Sequence, residues 1–222
     1  MGYRLVAAQQ EALGADVAAD VLSYFAQAHT KLCEGQGAEL VWRDARQKRL
    51  KPLEALKIYA LKTAPAFEAA IMAGIRLAGA TKPYREPAAR FARHLGVAYQ
   101  MLNDLDDWQL EQPNKLGSGG DVLAGRPTVL WALALEALGE ADRQELESLV
   151  SRRDSDAARI ARAGELYARA DVFRQSATLI GKHHQRARQS ADEITVEPLR
   201  HLLHFIADAI LDRRPLAISE EG

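Results

Sequence analysis

The chain has 222 residues, of which 48% are hydrophobic and 27% are charged, as in globular proteins with a sizeable core. Its 29 basic and 30 acidic residues nearly cancel, which argues against binding to nucleic acid or to an anionic membrane. The one cysteine, Cys33, excludes an internal disulfide, and its neighbours predict a place in the core. Without a signal peptide or an apolar run long enough to span a bilayer, we expect a cytoplasmic protein.

Alanine, leucine, glutamate and arginine dominate, and β-branched runs bounded by turns are scarce, so the sequence predicts an all-α fold. A first helix is expected to end at Gly14, and a second begins near Asp16 and runs past Leu32. Around Gln36 two glycines either loosen the chain or pack closely within a continuing helix. Pro52 then opens a long apolar helix that reaches about Leu77.

The next predicted helix has Pro87 in its first turn and runs through an acidic stretch to Trp108. A glycine-rich loop follows over 112–121, and Pro127 begins another helix. Two or three further helices fill 142–211, with interruptions near 152–156 and at Pro198. There is no internal repeat and no linker of domain scale, so residues 1–222 are predicted to form one helical domain.

The acidic stretch, residues 99–108, lies in a run whose apolar residues recur at helical spacing. Because residues three and four apart share a helix face, one face carries four oxygen-bearing side chains: Gln100, Asn103, Asp104 and Asp107. Such a face suits a hard divalent cation such as Mg²⁺, and it also fits a solvated acidic surface. The apolar segment before it favours the metal, since carboxylates on a packed helix are costly unless paired or metal-bound.

Lys62 lies within the apolar stretch 59–67, where burying an unpaired ammonium would be expensive. Either its side chain reaches the surface, or it faces an internal cavity in which an anion neutralises it. The loop that carries Lys115, Asp121 and Arg126 could close over the acidic face with two more cations. Carboxylates that hold magnesium beside converging cations predict a site for a diphosphate.

In order and approximate spacing, these stretches resemble the motifs of the trans-isoprenyl diphosphate synthases, the polyprenyl synthetase family. The matching segments are Lys62-Thr63-Ala64, Tyr99-Gln100 with the acids after it, Lys115 through Asp121 to Pro127-Thr128, and Gly35-Gln36. The likeness covers about Leu5 to Arg213. It implies an isoprenoid synthase-type helical bundle around a deep apolar cavity. Reaction in that family is head-to-tail prenyl transfer, in which isopentenyl diphosphate attacks the carbocation formed from an allylic prenyl diphosphate.

By the same resemblance, Asn103, Asp104 and Asp107 would bind Mg²⁺, and Asp121 could support these ligands without binding the ion itself. The allylic diphosphate would be bound by Lys62, Lys115 and Arg126. Catalytic roles fall to Lys62, which stabilises the leaving group, and to Thr63 and Gln100, whose oxygen dipoles face the carbocation. Ionisation places negative charge on the leaving group, so fixed cations there lower the barrier most.

The chain also departs from the family pattern. No Asp-Asp-x-x-Asp occurs before Lys62, so the first Asp-rich motif has no match, and Tyr3 to Val6 resembles the start of the helix that follows it. We therefore expect a chain that is N-terminally truncated relative to the family. Asn103 replaces an acid and is a weaker ligand, Arg126 stands where a lysine is common, and Glu39 stands where an aspartate is frequent.

Three explanations fit these departures. The chain is a fragment or one half of a split enzyme, or a non-catalytic partner that tunes a complete synthase, or a helical interaction protein that descends from the family. A missing wall exposes apolar surface, so each explanation predicts a homo- or hetero-oligomer. Alone, the chain is expected to be weakly active or inactive.

Two pairs of histidines, His183-His184 and His201/His204, could bind a metal at helical spacing. No acid or cysteine framework accompanies them, so the sequence predicts packing or surface roles for both pairs.

Overall fold

The computed structural model describes residues 2–79, 81–108, 119–151 and 154–211. These ranges hold helices and connecting turns without a β-strand, which confirms the predicted all-α class. The helices described are α1 (Gly2–Ala8), α2 (Gln10–Leu13), α3 (Ala15–Asp44), α4 (Pro52–Lys62), α5 (Ala64–Ala78), α6 (Arg85–Asp106), α7 (Gly120–Leu123), α8 (Val129–Ala137), α9 (Glu140–Leu149), α10 (Asp156–Arg169), α11 (Val172–Asp192) and α12 (Glu197–Leu211). Across these ranges, none of the helices combines the length and apolar character needed to cross a bilayer.

The long helix α3 continues through the two glycines near Gln36, so the close-packing alternative is correct. Its buried positions include Val21, Ala28 and Gly35, which are seven residues apart and define one narrow inner face. Cys33 lies off that face and is exposed, so its predicted place in the core is wrong.

One long helix was expected from about Leu53 to Leu77, but the structure divides it into α4 and α5. The break falls at Thr63, whose backbone (φ −129°, ψ −47°) leaves the helical region. Pro65 accounts for it, because proline has no N–H to continue the hydrogen-bond ladder and is tolerated only in the first turn of a new helix.

The core is centred on α6, whose Phe91, Leu95 and Ala98 are fully buried. Helices α4, α5, α8 and α11 pack around it. α8 starts two residues after Pro127, because the Thr128 hydroxyl accepts a hydrogen bond from Trp131 N at 3.1 Å and caps the helix.

Among the described residues of 140–211, there are four helices, α9 to α12, where two or three were expected. The additional break lies at 170–171, where Asp171 adopts a left-handed backbone (φ +53°). The interruption expected at Pro198 lies just before it, since this proline is accommodated in the first turn of α12.

Candidate functional site

Lys62 reaches the site because α3 and α4 cross in unusually close contact. A Cβ added at Gly35 would lie 2.6 Å from the backbone nitrogen of Lys62, so only glycine permits this approach. One turn along α3, Glu39 is 5% exposed, and its Oε2 lies 2.5 Å from Lys62 Nζ. The anion that neutralises Lys62 in the protein is therefore Glu39, while 27% of the lysine side chain remains exposed.

A second close contact places the turn between α4 and α5 against α6. A Cβ at Gly96 would lie 2.7 Å from Ala64 Cα, which brings Thr63 beside the acidic face. The Thr63 hydroxyl donates to Gln100 Oε1 at 3.2 Å, and Gln100 Nε2 donates to Asp104 Oδ1 at 3.4 Å. Thr63, Gln100 and Asp104 thus form one hydrogen-bonded chain.

Asp104 is the most deeply buried acid of the face, with 3% of the residue exposed. The Tyr59 hydroxyl donates to Asp104 Oδ2 and accepts a 2.8 Å hydrogen bond from Val129 N, which joins α4, α6 and α8. Burial, together with the nearby Asp121 charge, raises the pKa of Asp104 to about 8, against the opposing effect of the Tyr59 and Gln100 hydrogen bonds. Burial and the neighbouring Asp104 carboxylate raise the pKa of Tyr59 well above its usual value, so the Tyr59 hydroxyl stays protonated and can donate.

Tyr59 is absent from the residues predicted for the site. The sequence held one sign of it, because Tyr59 lies three residues before Lys62 and so shares a helix face with it. In an apolar stretch, a lysine is conspicuous as a candidate site residue, whereas a tyrosine has the pattern of an ordinary core residue.

At the open end of the acidic face, Asp107 binds the turn that precedes α7. Its Oδ2 accepts from Asp121 N at 3.0 Å, and its backbone oxygen accepts from Gly119 N at 2.9 Å. Asp121 Oδ1 accepts from Arg126 Nη1 at 2.8 Å. Burial and the Asp107 charge raise the pKa of Asp121, whereas Arg126 opposes the rise. The half-buried carboxylates of Asp107 and Asp121 therefore repel each other, and Arg126 pairs with Asp121.

The charge of Lys62 opposes the rise in the pKa of both Asp104 and Asp121, so the lysine lies within electrostatic range of both acids. Asn103 lies half-buried on the same helix. Lys115 falls outside the described residues. Within those residues, no three His, Cys, Asp or Glu side chains converge to form a metal-binding group.

An apolar groove lies farther along α5, beyond the polar cluster. Phe67, Ala70 and Gly74 share one face of α5 at helical spacing. The Phe67 ring meets Tyr99 edge-on, with centroids 5.9 Å apart. From Ala70 onwards, the face lines a cavity of about 620 Å³ whose other wall includes Val196 and four residues of α12: Leu199, Leu202, Leu203 and Ile206. Ala70 follows Thr63 by about 10 Å of helix, so the groove begins near the polar cluster.

Comparison with known proteins identifies the family of the chain. The sequence model of the polyprenyl synthetase family matches residues 2–167. The chain belongs to the polyprenyl synthetase family. It is 25% identical over 196 residues to the short chain isoprenyl diphosphate synthase of Methanothermobacter thermautotrophicus, in an alignment that covers 87% of this chain and 59% of that enzyme.

Solved structures show the same isoprenoid synthase fold. The geranylgeranyl pyrophosphate synthase of Corynebacterium glutamicum, solved with isoprenyl diphosphate and magnesium, superposes with a TM-score of 0.80 at 20% identity, covering 93% of this chain and 58% of that one. A polyprenyl synthase of Caulobacter crescentus, solved with calcium and isoprenyl diphosphate, gives 0.76 at 26% identity, covering 88% and 59%. The expected family and fold are confirmed, and the chain spans about three fifths of the length of these relatives.

Proposed function

We propose that this chain binds an allylic prenyl diphosphate and acts in head-to-tail prenyl transfer together with helices supplied by another polypeptide. The observation that carries the proposal is the junction at Thr63. On one side of it lie Lys62 and the repelling carboxylates, and on the other side α5 leads to the apolar groove, which begins at Ala70. A ligand with a charged head and a long apolar tail matches both parts at once.

The donor chemistry at the open end of the acidic face fits Mg²⁺. Magnesium in phosphate sites is held by one or two carboxylates, with water and phosphate oxygens completing its coordination, so a three-carboxylate group is unnecessary. Asp107 and Asp121 are close enough to repel, and a divalent cation would relieve that repulsion. Asn103 would add a neutral oxygen. Asp104 belongs to the predicted ligands, but its carboxylate is already engaged by Tyr59 and Gln100.

Bound magnesium would neutralise the diphosphate and make it a better leaving group. Lys62, Arg126 and Lys115 would hold the diphosphate oxygens through charge-assisted hydrogen bonds. Thr63 and Gln100 present oxygen atoms between the head and the groove, where positive charge develops as the allylic bond breaks. The apolar walls beyond Phe67 would exclude water from the reactive carbon.

An assembly with further helices is part of the proposal. The groove is open to solvent, and two apolar side chains of α12 are strongly exposed: Leu202 at 51% and Phe205 at 68%. A homo- or hetero-oligomer that covers this face would complete the wall of the cavity. The cytoplasmic location and the single domain over 1–222 remain predictions.

A second candidate is a non-catalytic partner subunit of a complete synthase. Two contacts favour it. Glu39 already neutralises Lys62, and Tyr59 holds Asp104 away from an incoming ligand. In this role the chain would keep the fold and its docking face while binding prenyl diphosphate weakly.

Calorimetry with farnesyl diphosphate, with and without Mg²⁺, tests the binding proposal. The variant Lys62→Met/Glu39→Gln removes both charges, so it leaves no buried charge unpaired. We expect this variant to lose most of the Mg²⁺-dependent affinity, whereas Lys82→Met, in the exposed loop before α6, keeps it. Equal affinity in all three proteins would contradict a head-group site at Lys62.

Incubation with Mg²⁺, an allylic diphosphate and labelled isopentenyl diphosphate tests the activity. The isolated chain is expected to give little or no elongated product. Efficient elongation by the chain alone would overturn the requirement for other helices. A co-purified protein that restores activity supports the catalytic proposal, and one that is active without this chain supports the partner-subunit alternative.

A further inference from the structure

A second groove lies on the outer side of α4, away from the polar cluster. Ala55 and Tyr59 mark the side of α4 that faces the core, since both are buried. Leu53 and Lys57 project on the opposite side and line a groove of about 680 Å³. Helices α3, α5, α6 and α11 supply its other walls. We call it the basic groove.

Four long basic side chains line the basic groove: Lys31, Lys57, Arg93 and Arg186. Its lining contains one acid, Glu68, which lies 3.7 Å from Lys31. Within the described residues, no carboxylate lies in ion-pair range of Lys57, Arg93 or Arg186. The groove therefore concentrates positive charge without a matching set of anions, in a protein whose total charge is close to zero.

His94 and His183 lie at one end of the basic groove, where burial and the positive charge of the groove lower their pKa values. His94 Nδ1 and His183 Nδ1 lie 3.1 Å apart, so one ring must donate to an unprotonated partner. Burial, together with the charges of His183, Arg186, Arg93 and Arg90, lowers the pKa of His94 to about 4. Burial and Arg186 also lower the pKa of His183. The positive surroundings thus disfavour additional protons and favour an anion.

The floor of the basic groove is apolar. Leu53 is 63% exposed, and Leu56, Ala60 and Val97 continue the apolar surface beside it. Leu53 leaves apolar area in water beside these cations, and a ligand that covers it would bury that area. The volume is within the range of small-molecule sites.

We propose that the basic groove is a second binding site, for an amphiphilic anion with a phosphate or diphosphate head and an apolar body. The head pairs with Arg93, Arg186 and Lys57, and the body covers Leu53. Because the lining offers one acid, itself paired with Lys31, binding here requires no metal ion. This property separates the basic groove from the Mg²⁺-dependent site at Lys62, which lies on the other side of α4.

Calorimetry in the presence of EDTA tests the proposal with farnesyl diphosphate, inorganic pyrophosphate and farnesol as separate probes. Farnesyl diphosphate is expected to bind more tightly than either of the other two. Arg93→Glu/Arg186→Glu should weaken it by roughly tenfold or more, since two attractive charges become repulsive. Arg4→Glu, on the exposed face of α1, makes the same type of change outside the groove and should alter the affinity by less than about twofold.

Proton NMR of the imidazole signals provides a readout that needs no variant. The chain has six histidines. Addition of farnesyl diphosphate in EDTA should shift the signals of His94 and His183 and raise their pKa values, while the other four remain as references. These shifts should persist in Lys62→Met/Glu39→Gln, so a failure of the Mg²⁺-dependent site leaves this test intact.

Several results would overturn the proposal. Unshifted His94 and His183 signals would exclude a ligand in the basic groove. Equal binding of farnesyl diphosphate and pyrophosphate would exclude the apolar contribution. Binding to anionic lipid vesicles that Arg93→Glu/Arg186→Glu abolishes, without binding of the monomeric diphosphate, would show that the groove contacts a membrane surface instead of a small molecule.

Discussion

Two acids of one motif, one helical turn apart, occupy opposite environments in this protein. Asp104 is buried and accepts hydrogen bonds from Tyr59 and Gln100, whereas Asp107 is half-buried and accepts from the backbone of Asp121. The Asp104 carboxyl group is enclosed by α4, α6 and α8. The Asp107 carboxylate lies at the end of α6, where the Asp107 backbone oxygen accepts a hydrogen bond from Gly119 N.

The difference shows that a shared helix face does not imply a shared role. Spacing brings carboxylates to one side of a helix, but the neighbouring helices decide which of them remains accessible. Here α4 lies over Asp104 and supplies Tyr59, while nothing in the described residues seals Asp107 in the same way. The inner acid is thus suited to positioning the helices, and the outer acid is suited to binding a cation.

The largest expected effect is the pH dependence of stability due to Asp104. Its folded-state pKa of about 8 lies above the ordinary value of 3.8, so between these values the folded protein binds a proton that the unfolded chain has lost. The free energy of unfolding should therefore fall as the pH rises from about 4 to 8, by an amount on the order of several kcal/mol. Urea unfolding in EDTA at pH 5 to 8.5 measures it.

The variant Asp104→Asn removes this ionisation and should flatten the dependence. Asp106→Asn, on the same helix, serves as the matched control and should keep the slope of the unaltered protein. Parallel curves for the unaltered protein and Asp104→Asn would show that Asp104 is not the sealed acid that its contacts describe.

The second effect concerns ligand binding. Asp107→Asn should weaken Mg²⁺-dependent binding of a prenyl diphosphate by on the order of a hundredfold, because a half-buried anion at the open end is lost. Its free energy of unfolding should change by less than about 1 kcal/mol. Asp104→Asn should reduce the same affinity by less than tenfold. Calorimetry measures the loss of affinity in both variants. Equal losses would indicate that Asp104 is also a metal ligand.

A third effect tests what seals Asp104. Tyr59→Phe removes the donor to Asp104 and the acceptor of Val129 N, which leaves two buried polar groups unpaired. The expected loss is about 2 kcal/mol in the free energy of unfolding. Tyr99→Phe keeps the ring that contacts Phe67 and should cost under about 0.5 kcal/mol. A difference near zero between the two variants would mean that water replaces the Tyr59 hydroxyl.

Much of the fold could be predicted from the sequence, because helix periodicity and proline positions are local signals. The acidic helix and the helix after Pro127 appear where expected, and the family motifs identified Lys62, Thr63 and Gln100 as neighbours. The break at Thr63 was missed even though Pro65 marks it, because an apolar pattern that continues across the proline suggested one helix.

The side-chain partners in the site could not be predicted in the same way. The spacing of Asp104 and Asp107 on α6 is identical to that of two ligands of one ion, and their different burial arises from α4 and α8, which lie far away in the sequence. Glu39 is a comparable case. Its match to a family aspartate was visible, but the contact with Lys62 depends on how closely α3 and α4 approach.

That approach gives the smallest of the four effects and tests the outer part of the site. Gly35→Ala places a Cβ 2.6 Å from Lys62 N, so α3 and α4 must separate. We expect a net loss of about 1 kcal/mol, since overpacking costs more than the gain in helix propensity. Gly37→Ala is the matched control, because its Cβ would meet nothing within 4 Å and should stabilise the helix by up to about 1 kcal/mol. Separation should also displace Lys62 from the polar cluster and reduce Mg²⁺-dependent diphosphate binding, while the pH dependence that arises from Asp104 stays unchanged. If Gly35→Ala lost both the Mg²⁺-dependent binding and the pH dependence of stability, Asp104 and Asp107 would depend on the same packing. That result would contradict the separate roles inferred from their contacts.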